Sequence, residues 1–462
     1  MSVRDGARVD LSESRRIHVV GVGGAGMSAV ASVLATMGHR VTGSDLKASP
    51  ALDRLAACGV RVQVGHDGVL MADAELLSIS TAVHEDNPEV KLAREMGIQV
   101  ASRADTLAAI CASRRLIAVS GTHGKTTTTT LLALVLVEGG LHPSFLVGGD
   151  VNEIGTNAVW DKGDWLVVEA DESDGTFLAL DPEIAVLTSV EPDHLDYYGG
   201  FDKLVAAFDE YCDKASGGVV ASADDAIAAE VGRRHGAELV GISRDADVRI
   251  ENLRVGREGV SFDLARSDKL LGRLALPVSG AKLASNAAIA AVTALRVGVP
   301  MDAAERAFAR FAGVARRFEH RGEAGGVRFV DDYAHLPTEV RAVLEAARSN
   351  TTGRVVAVFQ PHRYSRTAAV WSQFADAFGD ADAVVITDVY AAGEQPVPGV
   401  TGKLIADAVA NTQPETMVLY VPDRESLATQ VAALLRPGDL CITLGAGDLT
   451  TLADELLGDP SW

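Results

Sequence analysis

The stretch Ala118-Val119-Ser120-Gly121-Thr122-His123-Gly124-Lys125-Thr126-Thr127 constrains this chain more than any other. Leu116 to Ser120 reads as a short buried strand and Gly121 to Gly124 as a tight loop. Lys125 to Val137 follows as an apolar helix, stopped by Gly139-Gly140. A strand, a glycine loop and a helix start gather backbone N–H groups and the positive end of a helix dipole around one point, which suits an anion. Lys125 would then reach the outer phosphates of a nucleotide, and the Thr126 hydroxyl would sit on its magnesium ion. The loop is a variant of the Walker A pattern, with Val119 where a glycine is usual. A plain glycine turn before an ordinary helix can carry the same string. The strand before it and the threonine run Thr126 to Thr130 favour the phosphate loop.

A chain of 462 residues holds about three domains of the usual size. Alanine and glycine are abundant and aromatics sparse, which suits helices packed on sheets. The net charge of −21 disfavours nucleic acid and anionic membranes as partners, so any phosphate must be held by local sites. Cys58, Cys111, Cys212 and Cys441 are scattered, with neither metal-ligand spacing nor a disulfide framework. Met1 to Arg16 is polar and lacks an apolar signal core, and no stretch is apolar enough to span a membrane. The expectation is a soluble, cytoplasmic protein with no membrane insertion.

Residues 1–112, 113–314 and 315–462 read as three α/β domains. The first opens with the strand Ile17 to Val20, then Gly21-Val22-Gly23-Gly24-Ala25-Gly26, a helix from Met27 to Met37, and a second strand, His39 to Thr42, that delivers Gly43-Ser44-Asp45. Strand, G-x-G-x-x-G, helix, strand, acid is the dinucleotide-binding fingerprint. Taken alone it predicts a nicotinamide dehydrogenase with Asp45 on a ribose, or an ordinary βαβ turn.

The second domain starts at the phosphate loop. Its strands Trp165 to Val168 and Ile184 to Val190 end in Glu169-Ala170-Asp171-Glu172-Ser173-Asp174 and Glu191-Pro192-Asp193-His194-Leu195-Asp196. Ligands of open α/β sheets bind at such carboxyl ends, and acids beside a phosphate loop suit magnesium. Solvated turns are the commoner fate of acidic clusters. Glu238 to Leu276 reads as β-rich and irregular, followed by an alanine-rich helix from Leu283 to Val297. The third domain is Rossmann-like. Polar strings follow three of its strands: Asp331-Asp332-Tyr333-Ala334-His335, Gln360 to Arg366, and Gly445 to Asp448.

These strings, with Arg316-Arg317-Phe318-Glu319, occur in an order that resembles the Mur ligase family over essentially the whole chain. The resemblance implies a UDP-binding Rossmann-like domain, a central P-loop ATPase-like domain and a C-terminal Rossmann-like domain that brings the amino acid and closes on ATP. The first glycine loop would then hold a UDP diphosphate and no nicotinamide. The implied reaction joins L-alanine to the lactyl carboxylate of UDP-N-acetylmuramate, with ATP and Mg2+, through an acyl phosphate. A sister activity would attach a recycled peptide to the same nucleotide sugar. A nicotinamide-dependent oxidoreductase and a non-catalytic nucleotide-sugar regulator are the readings from other classes.

By the same resemblance Lys125, His194 and His335 stand nearest the chemistry. Gly121, Thr122, His123, Gly124, Lys125, Thr126, Thr127, Asn286, Arg317 and Asp332 bind ATP, the aspartate through ribose hydroxyls. Thr126, Glu169 and His194 hold metal, the last two a second magnesium ion. Gly23, Gly24, Ala25, Gly26, Met27, Ser28, Asp45, His66, Ser80 and Thr81 face the UDP-sugar. His123, Tyr333, His335, Arg363 and Arg366 line the alanine and muramate side, where a guanidinium fork suits a carboxylate. Two positions depart from the family pattern. Lys282 and Leu283 replace a histidine and an asparagine expected near adenine, and Leu336 replaces a second histidine after His335. The expected assembly is a monomer or homodimer, with hinges near residues 112 and 314.

Overall fold

The computed structural model describes residues 9–80, 82–151, 156–256 and 258–458, so the Thr81 expectation lies outside the described residues. The chain builds three sheets in succession, which is the expected three-part α/β architecture. The first holds β1 (Arg16–Val20), β2 (Arg40–Asp45), β3 (Arg61–Val64), β4 (Leu76–Ile79) and β5 (Gln99–Ser102), in the order β3-β2-β1-β4-β5. All its pairings are parallel. The order reverses between β1 and β4, the kind of crevice where such sheets bind ligands.

The second sheet has ten strands. They are β6 (Arg115–Ser120), β7 (Ser144–Val151), β8 (Thr156–Val159), β9 (Trp165–Glu169), β10 (Ile184–Leu187), β11 (Val219–Ser222), β12 (Glu238–Gly241), β13 (Val248–Gly256), β14 (Gly259–Arg266) and β15 (Lys269–Leu276). Their order is β15-β14-β13-β12-β11-β10-β6-β9-β7-β8. β6 runs parallel between β9 and β10, with Val119 opposite Glu169 and Ser120 opposite Leu187. That register brings the phosphate loop and both acidic strand ends to one edge. β13, β14 and β15, in the stretch expected to be β-rich and irregular, form an antiparallel meander that extends the sheet, with its register shifting between Glu251 and Arg254 and between Leu264 and Ala265. Buried and exposed positions alternate along them, as at a half-covered edge.

The helix expected at Lys125 to Val137 spans Lys125–Glu138. It is buried nearly all round, between the sheet and helix Ala281–Arg296. Each leucine it buries contributes roughly 1.5–3 kcal/mol. The third sheet is β16 (Glu319–Ala324), β17 (Val327–Asp332), β18 (Val355–Phe359), β19 (Ala383–Ile386), β20 (Met417–Tyr420) and β21 (Leu440–Leu444). In the order β16-β17-β21-β18-β19-β20, Asp332 and Phe359 both register with Leu444. The three polar strings therefore share one edge. β18 and β21 are buried throughout, as strands covered on both faces must be.

One apolar cluster runs through the first and second sheets. It includes Met27, Val30, Leu34 and Ile110 from one side and Leu116, Phe177 and Leu180 from the other. The apolar clusters around the third sheet stay within their own part of the chain.

Candidate active site

The phosphate loop is fixed by the residues beneath it. Gly121 has φ +135°, and a Cβ there would stand 2.3 Å from Thr188 Oγ1 and 2.8 Å from the Ser189 amide nitrogen. Only glycine meets both conditions. The strand expected to reach Val190 ends at Leu187, because Thr188 and Ser189 turn to hold this loop. Thr188 Oγ1 donates to His123 O (2.5 Å), and His123 N–H donates to Ser189 Oγ (2.9 Å). The Glu191 amide donates to Thr122 Oγ1 at 2.9 Å. Gly124 has φ +82°, and a Cβ on it would lie 2.6 Å from Asn286 Oδ1. The distant Asn286 is thus brought onto the loop. Thr127 is half-buried one turn into the helix.

Lys125 is folded back. Its Nζ donates to Gly121 O (2.7 Å) and to Glu172 Oε1 (2.9 Å). Burial acts to lower the lysine pKa, but Glu172, Asp171 and Glu169 more than offset it, and the ammonium is held above its ordinary range. Glu172 is 2 % exposed, and burial lifts its carboxyl to about 7 despite the lysine beside it. An arriving phosphate competes with this carboxylate for Lys125.

Thr126 Oγ1 donates to Glu169 Oε1 at 3.0 Å, and Glu169 Oε2 accepts the Gly148 amide at 2.7 Å. Two hard oxygen donors side by side at the mouth of a phosphate loop fit a magnesium ion, which takes few protein ligands beside water and phosphate. His194, expected with Glu169 on a second magnesium ion, faces Asp193 in this structure. His194 Nε2 lies 3.2 Å from Asp193 Oδ2, with no contact to Glu169 among the described residues. Nor do three His, Cys, Asp or Glu side chains converge as a metal cage among those residues. Burial lowers the His194 pKa, keeping the imidazole in its neutral, ligating form.

The third sheet delivers its loops onto this centre. His123 Nδ1 is 2.9 Å from Glu339 Oε1, and Thr338 Oγ1 donates to Glu191 Oε2 at 2.7 Å. Arg366 clamps Asp193, with Nε and Nη2 3.1 and 3.0 Å from Oδ1. Glu339 also accepts the amides of His335 (2.9 Å) and Leu336 (3.1 Å), so one carboxylate ties the His335 loop to the phosphate loop. Burial lowers the His123 pKa, but Glu339 and Glu191 outweigh it and raise the imidazole to about 9.

His335 Nδ1 sits 3.0 Å from Tyr333 O, and burial drives its pKa down to about 4. Arg317 lies over the Tyr333 ring at 5.2 Å, which joins two expected site residues. Asp332 is 4 % exposed, and burial lifts its pKa to about 6. Its two oxygens already accept the Phe318 (2.7 Å) and Ala334 (2.8 Å) amides, so it holds the loops in place before any ribose arrives. The two arginines separate in role. Arg366 is spent on Asp193, whereas Arg363 makes no ion pair among the described residues and has a buried, unpartnered Nε.

At the first glycine loop Asp45 Oδ2 accepts the Gly23 amide at 2.8 Å. Gly24 is the N-cap of helix Ala25–Thr36, with no side-chain cap. Ser28 lies in its first turn, and a Cβ on Gly21 would touch Ser80 Cβ at 3.2 Å. The Met27 side chain turns into the core, leaving only its backbone for a ligand. His66 is brought to this domain's interior edge by Glu89, whose Oε2 lies 3.1 Å from His66 Nδ1 and accepts from Ser44 Oγ at 2.5 Å.

The sequence reading passed over Glu172, Glu191 and Asp193 inside strings it quoted, and over Thr338, Glu339, Glu89 and Arg103 altogether. Glu339 carries a faint signal, since an acid three residues into a helix commonly caps it. Arg103 follows Ser102, whose capping box with Asp105 announces only a helix start. No helix of the described residues is long and apolar enough to cross a membrane.

Three family profiles match consecutive parts of the chain. They are the Mur ligase family catalytic domain at residues 16–115, the Mur ligase middle domain at 119–294, and the Mur ligase glutamate ligase domain at 316–447. The chain belongs to the Mur ligase family. The UDP-N-acetylmuramate–L-alanine ligase of Rubrobacter xylanophilus is 46 % identical, over 96 % of this chain and 99 % of its own. The enzyme of the same name from Kineococcus radiotolerans is 45 % identical, over 98 % of each. The solved UDP-N-acetylmuramate–alanine ligase of Thermotoga maritima superposes with a TM-score of 0.81 at 28 % identity, over 96 % of this chain and 98 % of that one. Family membership removes the nicotinamide reading of the first glycine loop.

Proposed function

We propose that this chain is an ATP-dependent ligase that joins the amine of L-alanine to the lactyl carboxylate of UDP-N-acetylmuramate, giving ADP and phosphate. The observation that carries the reading is the convergence on one loop. Lys125 and Thr126 face the acids at and after the end of β9, while Glu339 ties the His335 loop to His123 of the phosphate loop. The full-length likeness to relatives named for this activity supports it.

A carboxylate is a poor electrophile and must be activated, here as an acyl phosphate, before an amine can attack. Two anions have to meet, so the protein's work is neutralisation and alignment. Lys125, released from Glu172, takes the β- and γ-phosphates. The Thr122 and His123 amides are bonded to Ser189, so Gly124 and the first amides of helix Lys125–Glu138, Thr127 included, supply the phosphate cradle on the loop Gly121 to Gly124. Thr126 and Glu169 would hold magnesium, which supplies charge screening between the phosphates. His194, kept neutral beside Asp193, faces the incoming carboxylate side. Arg317 and Asp332 form the wall toward ATP, with Asn286 on the loop below. Arg363, free of ion pairs among the described residues, takes the alanine carboxylate, and Tyr333 and neutral His335 flank it. Asp45, His66, Ser28 and Ser80 face the nucleotide sugar.

The test is a phosphate-release assay with UDP-N-acetylmuramate, ATP and magnesium, supplying L-alanine, glycine, L-serine or the recycled tripeptide in turn. Release that depends on L-alanine is expected, with Lys125→Ala slower by on the order of 10²–10³-fold. Release driven by the tripeptide and not by alanine would replace this reading with the sister activity.

A further inference from the structure

Diphosphate binding in the first domain poses a charge problem. The protein carries −21 overall. The helix behind the first glycine loop offers only about half a positive charge at its N-terminus. Gly21 to Gly24 and helix Ala25–Thr36 contain no lysine or arginine, and the Asp45 carboxylate on the Gly23 amide adds a negative charge. A cation must come from elsewhere in the fold.

Arg103 is placed to be that cation. It begins the helix after β5, and its Nη1 stands 2.9 Å from where a Cβ on Gly26 would lie. Gly26 is not among the positive-φ glycines, so its backbone does not ask for glycine; the space does. The Arg103 Nε is buried with no hydrogen-bond partner, so the guanidinium, whose Nη1 stands over Gly26, is not fully spent on protein partners. On its other side Nη2 donates to Asp174 Oδ2 at 3.0 Å and lies 3.9 Å from Asp171 Oδ2, at the end of β9. The guanidinium thus touches the glycine loop and the acidic cluster that faces Lys125.

We propose that Arg103 is the residue that neutralises the diphosphate of the nucleotide sugar, sharing its guanidinium with Asp174 so that sugar binding is felt at the acidic end of β9. This rests on the nucleotide-sugar reading above. A purely structural Arg103–Asp174 tie between domains is the rival account, and the two differ in what Asp174→Asn does.

The experiment is calorimetric titration of the full chain with UDP-N-acetylmuramate and with UDP, alongside KM values for both substrates. Thermal unfolding of each variant checks that it is folded. Arg103→Ala should weaken both ligands about 10- to 100-fold, the span expected for loss of a charge-assisted contact. Arg103→Lys should recover part of it, and Lys91→Ala, an exposed cation on helix Pro88–Glu95 of the same part of the chain, should change nothing. Asp174→Asn should keep or tighten nucleotide-sugar binding while raising KM for ATP. Arg103→Ala and Arg103→Lys both binding like wild type would overturn the proposal. So would Asp174→Asn matching Arg103→Ala in every readout, which is the signature of a mere tie. Wild-type protein that binds neither ligand would instead sink the nucleotide-sugar reading itself.

Discussion

The two seams between the sheets differ in chemistry, the first mainly an apolar core with the Arg103–Asp174 ion pair added, the second polar and ionic. The first and second sheets share one apolar core, into which helix Ala25–Thr36 and the turn Thr176–Ala179 both pack. The second and third meet through His123–Glu339, Thr338–Glu191 and Arg366–Asp193, with their apolar clusters kept apart. Apolar burial is non-directional and scales with area, so separating the first seam would expose a core. Ion pairs trade protein partners for water at modest net cost and can re-form elsewhere. The first seam is therefore the costlier one to separate, and the second the one that water can enter at lower cost. A ligase that must admit ATP and alanine, then exclude water, needs that division.

This contrast can be broken by mutation. Phe177→Ala removes a fully buried ring that packs 5.3 Å from Phe208 and should cost about 3–5 kcal/mol in denaturant unfolding, the largest effect. An unchanged midpoint would remove the shared core from the account. Arg366→Ala leaves Asp193 buried without its partner and should cost about 3 kcal/mol at most, because the seam can open to water. Its clearer sign is expansion in small-angle scattering with ATP analogue and UDP-sugar bound; a compact profile identical to wild type would contradict a mobile third domain.

The seam should also feel pH. His123 is raised to about 9 from an ordinary value near 6.5. A group with a raised pKa contributes its full stabilisation below the ordinary value and loses it as pH rises through the shifted one. The contact should therefore weaken between about pH 6.5 and 9. Thermal midpoints across that window should fall in wild type and fall less in Glu339→Gln. Equal slopes would show that Glu339 is not what holds the proton. The smallest effect belongs to Thr338→Val, which deletes the hydrogen bond to Glu191 and the weaker 3.3 Å one with His123 Nε2 and should cost about 1 kcal/mol, visible in the unfolding midpoint.

Much of the site was legible because it lies at strand ends. Glycine strings, an apolar strand before them and an apolar helix after them are local signals, and they placed Lys125, Thr126, Glu169 and the first glycine loop. The β13–β15 meander was legible as β-rich, but its strand limits were not, because its alternation is diluted by charged residues on the exposed face and broken by register shifts. The partners of the named residues were less legible still. Glu172 looked like one acid among several, and only the fold shows which of them meets Lys125. Arg363 and Arg366 looked equivalent in sequence; Asp193 separates them, from 173 positions away.

The sequence by itself determined three α/β units, the anion-binding loops and the chemistry those loops could serve, since these follow from short-range periodicity and from residues whose backbone freedom is diagnostic. Only the tertiary structure decided which seam is apolar and which is ionic, that Lys125 waits on Glu172, that Glu339 links His335 to the phosphate loop, and that Arg103 stands over Gly26. Each of those depends on side chains brought together by strand order. Strand order is set by the packing of whole sheets, and no local stretch of sequence encodes it.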